Sequence, residues 1–187
     1  MDQVALVAFG SNQTSPAGPP TETINSALAA LGDIKGLQLR SASALYSTPA
    51  FPPGSGPDFV NAVAAFDCIH TPTNLLEILH QIEADHARTR RTRWAARSLD
   101  LDLLALGKLI RPSQDVWREW YELPLADQAN LAPKQLILPH PRIQERAFVL
   151  VPLADAMPQW RHPVLDKTAA EMCSELPKSD LESVKKL

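Results

Sequence analysis

Cysteine is almost missing from this chain of 187 residues: Cys68 and Cys173 are the whole supply. Two isolated thiols cannot build a disulfide scaffold, and their separation matches no paired metal-ligand spacing. No apolar run approaches the roughly 18 residues that a membrane span requires. Neither charge sign dominates, with 18 Lys and Arg against 21 Asp and Glu for a net charge of −3. That balance excludes a strongly basic nucleic-acid coat and leaves room for a local basic patch. The opening MDQVALVAFG has neither the charged n-region nor the small-residue cleavage site of a signal peptide, so a cytoplasmic, reducing location is expected. Also missing are the signatures of familiar nucleotide-binding and hydrolase folds: GxxxxGK followed by Ser or Thr, GxGxxG, GxSxG and HExxH. With 45% hydrophobic and 21% charged residues, the composition is that of an ordinary globular protein, and the length suits a single domain over 1–187.

Proline, by contrast, is abundant at 17 residues, and its positions punctuate the chain. The apolar run Val4 to Phe9 ends at Gly10-Ser11-Asn12 and predicts a buried strand entering a turn. Ile24, Ala27, Leu28 and Leu31 fall at helical spacing within Thr21 to Leu31. Leu37 to Tyr46 and Phe59 to Ile69 alternate as strands, the second with Val60, Ala62, Ala64 and Phe66 on one face. Between them, Thr48 to Asp58 holds four prolines and two glycines in eleven residues, which no regular element tolerates. A second helix is expected from Thr71 to about His86, carrying Leu75, Leu76, Leu79, Ile82 and Glu83, and a strand from Leu99 to Leu106. The order strand, helix, strand, strand, helix, strand is that of a ferredoxin-like βαββαβ core, an α/β (α+β) fold whose antiparallel sheet is covered by helices. Beyond it, 111–135 reads as a surface insertion, partly helical near Trp117 to Leu123. Arg142 to Met157 reads as one helix that Pro152 kinks or ends, making an extra C-terminal helical part, and the polar tail from Lys178 as frayed.

The strongest chemical signal is Arg97-Ser-Leu-Asp-Leu-Asp-Leu-Leu-Ala-Leu106. In a strand, Asp100 and Asp102 share one side, about 6 to 7 Å apart, with Leu99, Leu101 and Leu103 opposite. Leu104 and Leu106 would continue the aspartate face. Two carboxylates in an apolar strand are costly unless satisfied, and a divalent metal is the natural partner, because a hard cation takes oxygen ligands and bridges to phosphate. The plainer reading is a solvated face whose acids touch only water. Directly upstream, 88–97 holds five of the 18 basic residues around Trp94. Guanidinium groups bind phosphate oxygens bidentately. Alone, the cluster would read as a solubilising loop or nucleic-acid patch; beside two metal-type carboxylates it reads as a polyphosphate clamp. His140, set between prolines in Leu138-Pro-His-Pro141, and Glu83, on the inner stripe of its helix, are weaker candidates.

Four blocks together resemble the 6-hydroxymethyl-7,8-dihydropterin pyrophosphokinases of folate biosynthesis: Ala8-Phe-Gly-Ser-Asn12; Tyr46-Ser-Thr-Pro49 with Asp58-Phe-Val-Asn61; Arg93-Trp-Ala-Ala-Arg-Ser-Leu-Asp-Leu-Asp102; and Leu138-Pro-His-Pro141 through Arg146-Ala-Phe148. They fall in the family's order over roughly residues 4 to 160. The resemblance implies a ferredoxin-like fold and transfer of the β,γ-pyrophosphoryl group of ATP to the pterin's hydroxymethyl oxygen, with AMP released. By position it implies that Asp100 and Asp102 ligate two Mg2+ ions and that Arg88, Arg90, Arg91 and Arg97 meet the triphosphate, Arg88 and Arg97 acting in catalysis. Trp94 would help close that segment over the site, and Glu83, His140 and Arg146 would line the nucleotide pocket. Thr48, Pro49, Phe51 and Asn61 would form the pterin side, with Phe59 and Phe148 sandwiching the ring. The partners implied are small molecules only, with no nucleic acid and no membrane, and the protein is expected to be a stand-alone monomer.

The chain also departs from the family's pattern. Ala95-Ala96 stands where Gly-Pro is common, Ala87 where Gly is usual, His80 where Gln is frequent, and Phe59 where Tyr is frequent. The 111–135 stretch has no counterpart in the shortest members; its Trp117 and Trp120 could pack inward, cover the nucleotide pocket or contact a partner, and packing is the preferred reading. Two other functions fit parts of the pattern. Another Mg-dependent, nucleotide-using transferase on the same scaffold would use the two acids but not the Pro-rich segment. An RNA- or ligand-binding module would need exposed aromatics on the sheet, where these strands carry Leu, Val and Ala.

Overall fold

The structure is a computed structural model that describes residues 3–50, 56–86, 98–124, 127 and 131–187. Strand β1 (Gln3–Ser11) lies between β4 (Phe59–Cys68) and β5 (Asp100–Leu106), antiparallel to both. On its far side β4 carries β2 (Leu37–Ala42) and β3 (Tyr46–Thr48), and a two-residue strand β6 (Lys185–Lys186) borders β3, giving the order β5-β1-β4-β3-β6 with β2 also on β4. With helices α1 (Pro20–Gly32) and α2 (Pro72–Asp85) after β1 and β4, the βαββαβ order expected from the sequence is present.

Both helices start where the sequence marks them. Each has proline in its first turn, where a missing N–H costs nothing, and Thr71 accepts the Asn74 N–H to cap α2. Their apolar stripes, including Ile24, Ala27 and Leu31 of α1 and Leu75, Leu79 and Ile82 of α2, close one sheet face over Val7, Phe9, Ala62, Phe66, Leu101 and Leu103. The opposite face meets α4 (Ala147–Ala156) and α5 (Ala169–Ser174), with Leu6, Val63, Ala65 and Leu104 in a second core. Helix α3 (Gln114–Tyr121) lies in the insertion, and α6 (Lys178–Ser183) precedes β6. No helix of the described residues is long and apolar enough to cross a membrane.

Four expectations are corrected. Leu37 to Tyr46 is two strands: the Ser43 hydroxyl accepts the Val63 N–H and the Asp155 carboxylate accepts the Ala44 N–H, so side chains take over where the ladder stops. Arg142 to Met157 is a 3-10 turn (Ile143–Glu145) and then α4, separated by Arg146 in extended conformation, and α4 runs through Pro152 to Ala156. Leu106 leaves the aspartate face, because Val7 pairs with Leu103 and Leu6 with Ala105, making Leu104 the extra residue of a bulge. Leu104 and Ala105 therefore both face α4, while Leu106 joins the core under α1 and α2. The tail is ordered: Lys185 and Lys186 pair with Ser47 and Tyr46, and the Leu187 N–H donates to the Leu45 carbonyl.

Candidate active site

Helix α4 covers only part of its sheet face, and the remainder carries the polar residues. Asp100, Gly10, Asn61 and Tyr46 stand directly opposite one another across β5, β1, β4 and β3, and Asp102, Ala8 and Val63 form the next row. Residues opposed in this way project to the same face. The aspartates are half-buried while Leu101 and Leu103 between and beyond them are buried, the alternation the sequence predicts. Gly10 keeps the middle of the first row low. A methyl there would sit 3.4 Å from Asn61 Oδ1 and 3.9 Å from the Asp100 Cβ, filling the space that separates the two.

At the β4 side, buried Asn61 donates from Nδ2 to the buried Thr48 hydroxyl at 2.8 Å, so the amide is held in a fixed plane with Oδ1 toward Gly10. Phe59 lies two residues before Asn61 and therefore on the same face, opposite Thr48. Pro49 is exposed just beyond β3. Phe148, in the first turn of α4, leaves 42% of its surface exposed, and the Arg146 guanidinium lies 5.7 Å from its ring centre.

Arg146 joins the two ends of this surface. Burial favours its neutral form, and the carboxylates of Asp102, Glu145 and Asp100 oppose that, so its charge is held against the aspartate rows. Arg146 itself is the extended residue between the 3-10 turn and α4. Buried Arg142, which the sequence did not single out, bonds Glu145 Oε1 at 3.0 Å, and its N–H donates to His140 Nδ1. Because Nδ1 accepts, the His140 proton resides on Nε2 and the ring is neutral. Desolvation, reinforced by the Arg146 and Arg142 charges, pushes its pKa down to about 3. Its own N–H donates to the Leu104 carbonyl at 2.7 Å, which fixes residue 140 on the outer rim of the aspartate strand.

Glu83 also reaches that rim, where Oε1 accepts the Leu101 N–H at 2.9 Å, between the two aspartates. The residues flanking 87–97 are joined by contacts the sequence reading missed: the Ser98 hydroxyl donates to the His86 carbonyl, and the Ser11 hydroxyl donates to the Ser98 carbonyl. Arg88, Arg90, Arg91, Trp94, Arg97 and Phe51 lie outside the described residues. In the insertion, Trp117 is buried and Trp120 half-exposed, in line with packing for the first.

Asp100 and Asp102 are hard oxygen donors one strand step apart, and among the described residues no third Asp, Glu, His or Cys joins them in a metal-holding group. That donor set fits magnesium, which keeps several waters and takes one or two carboxylates together with substrate phosphates. It does not suit zinc, which wants a fuller set of nitrogen or sulfur ligands.

Residues 6–158 match the sequence pattern of the family described as 7,8-dihydro-6-hydroxymethylpterin-pyrophosphokinase. A Pseudomonas aeruginosa 2-amino-4-hydroxy-6-hydroxymethyldihydropteridine pyrophosphokinase is 37% identical over 163 residues, 87% of this chain and 86% of that protein. The Synechocystis protein of the same name is 31% identical over 172 residues, 92% of this chain and 75% of its own. Among solved structures, wild-type Plasmodium falciparum HPPK-DHPS matches with a TM-score of 0.63 at 14% identity, over 94% of this chain and 45% of the larger one. At that identity the likeness shows the fold, and the chain spans less than half of that structure.

Proposed function

The chain belongs to the 7,8-dihydro-6-hydroxymethylpterin-pyrophosphokinase family, whose reaction it carries out, and on that premise we propose that the uncovered half of the sheet is where the substrates meet. The protein transfers pyrophosphate from ATP to the hydroxymethyl group of 6-hydroxymethyl-7,8-dihydropterin in folate biosynthesis. The observation that carries the site assignment is the row Asp100, Gly10, Asn61: a metal-type carboxylate and a locked amide on one face, with only a glycine between them.

On this reading Asn61, oriented by Thr48, reads the pterin's donors and acceptors, Phe59 and Phe148 hold the ring between them, and Pro49 and Phe51 border it. Asp100 and Asp102 hold two Mg2+ ions, which when bound supply positive charge to the phosphate oxygens. Arg146 adds fixed charge beside the aspartates, and neutral His140 offers Nε2–H to a nucleotide oxygen. Glu83 keeps the Asp100–Asp102 strand edge in place through Leu101 while lining the nucleotide side. Arg88, Arg90, Arg91 and Arg97 meet the triphosphate, and Trp94 helps exclude water. The pterin alcohol attacks the β-phosphorus, the bond from that phosphorus to the oxygen bridging the α- and β-phosphates breaks, and that oxygen leaves with AMP as the alcohol proton is lost. No covalent enzyme intermediate is needed, so the residues act by alignment and charge neutralisation. The 187 residues work as a single domain and as a monomer.

Product analysis tests the proposal. Incubated with ATP, Mg2+ and the pterin, the protein should form AMP in step with pterin pyrophosphate, and neither product without metal. Replacing Asp100 or Asp102 by Ala should stop both. ADP as the coupled product, or full turnover in the Ala variants, would overturn the assignment.

A further inference from the structure

The insertion is not confined to the surface. Arg111 and Leu138 exchange two backbone hydrogen bonds, N–H to carbonyl at 2.8 and 3.1 Å, so the start of the insertion is paired with the segment that leads to His140. Three residues later α3 begins, and Trp117, 1% exposed, donates its indole N–H to the Pro139 carbonyl at 2.7 Å. The same peptide group donates its other end, the His140 N–H, to the Leu104 carbonyl of the aspartate strand. Residues 138–140 are thus held between β5 on one side and the insertion on the other. The indole itself has little freedom: Tyr121 stacks on it at 5.0 Å and 19°, and buried His162 packs against it at 5.3 Å. An N–H bond to a carbonyl one residue from His140, made by a ring that cannot turn away, fixes where the imidazole stands relative to Asp102 and Arg146.

We propose that Trp117 is a positioning residue for the nucleotide side of the reaction, acting through the Pro139 carbonyl on His140, and that the insertion serves to tune ATP use and leaves pterin recognition alone. The inference rests on the nucleotide role given above to His140. Asn61 and Thr48 stand on β4 and β3, across β1 from this contact, and among the described residues no hydrogen bond joins them to it. The two substrates should therefore respond differently.

The test compares three variants in steady-state kinetics with each substrate varied. Trp117→Phe keeps an aromatic ring and loses the N–H; it should raise KM for ATP about fivefold, the worth of one neutral hydrogen bond, with KM for the pterin unchanged. Leu31→Ala, in the core on the opposite sheet face, should lower Tm and leave both KM values at wild type, which separates positioning from general destabilisation. His140→Ala should raise KM for ATP by at least as much as Trp117→Phe. If Trp117→Phe shifts neither KM, or shifts both equally, while His140→Ala shifts ATP alone, the inference falls and the site assignment stands. If His140→Ala shifts neither, both fall. Should Trp117→Phe fail to fold, 3-benzothienylalanine installed at position 117 keeps the shape and removes only the N–H; it should reproduce the ATP-selective shift, and wild-type kinetics would overturn the proposal.

Discussion

The two faces of the sheet are made by alternate residues of the same strands, yet one is a sealed core and the other a working surface. Under α1 and α2, Leu101 and Leu103 of β5 meet Val7 and Phe9 of β1 with nothing polar between them. One residue out of phase, Asp100 and Asp102 project to the other face, where Asp100 stands in a row with Gly10 and Asn61, and Asp102 in a row with Ala8 and Val63 at the margin of the α4 core. What separates core from site is how far the covering helix extends. Burial lowers the pKa of His140 to about 3 and that of His162 to about 4, and it lowers that of Arg146 as well, opposed there by the carboxylates of Asp102, Glu145 and Asp100.

The comparison can be broken most sharply on the open face. Asp102→Asn keeps the shape and removes one charge, and should lower kcat on the order of a hundredfold to a thousandfold, as loss of a dominant electrostatic group does. Its Tm should stay near wild type; a cooperative loss of structure would mean that the aspartate belongs to the core. Leu103→Ala, one residue along and on the sealed face, should do the reverse. Denaturant unfolding should show about 3 kcal/mol less stability, while KM for both substrates is retained.

A smaller effect comes from His162, which is buried beside Trp117 and Trp160. Burial lowers its pKa from 6.5 to about 4, so the unfolded chain takes up a proton before the folded one does. Its contribution to stability is complete above pH 6.5 and declines as pH falls toward 4, by about 3 kcal/mol in all. His140 works in the same direction over a range reaching lower pH. In urea melts across pH 7 to 4, His162→Asn should flatten part of the decline, and an unchanged slope would show that His162 is not one of its sources.

Much of this could be read from the chain. Alternating Leu and Asp in 99–102 defines two faces whatever lies above them, and Pro72 after Thr71 marks a helix start. After Asp102 the signal stops: Leu103, Leu104, Ala105 and Leu106 are all apolar, so no periodicity shows where the bulge shifts the phase. The tail carries too few apolar residues to announce a strand, because β6 is stabilised by pairing with β3 and not by its own side chains. Thr168 and Glu171, three residues apart, form a capping box for α5 whose pattern is visible in the sequence. His140 and Arg146 drew notice mainly through the family resemblance. That Arg146 interrupts the helix and faces Asp102, or that Trp117 bonds a carbonyl 22 residues away, depends on tertiary contacts with no local trace.

The rims of the sheet carry a consequence of another kind. An unpaired strand edge is a template for foreign strands, and sheets are usually kept from aggregating by covering or charging it. Along β5 the Glu83 carboxylate accepts the Leu101 N–H, and the Leu104 carbonyl accepts the His140 N–H. Beyond β3 the next strand is only two residues long, and both are lysine. The protein can therefore leave part of one sheet face open to its substrates while the β5 and β3 edges offer little purchase for another chain.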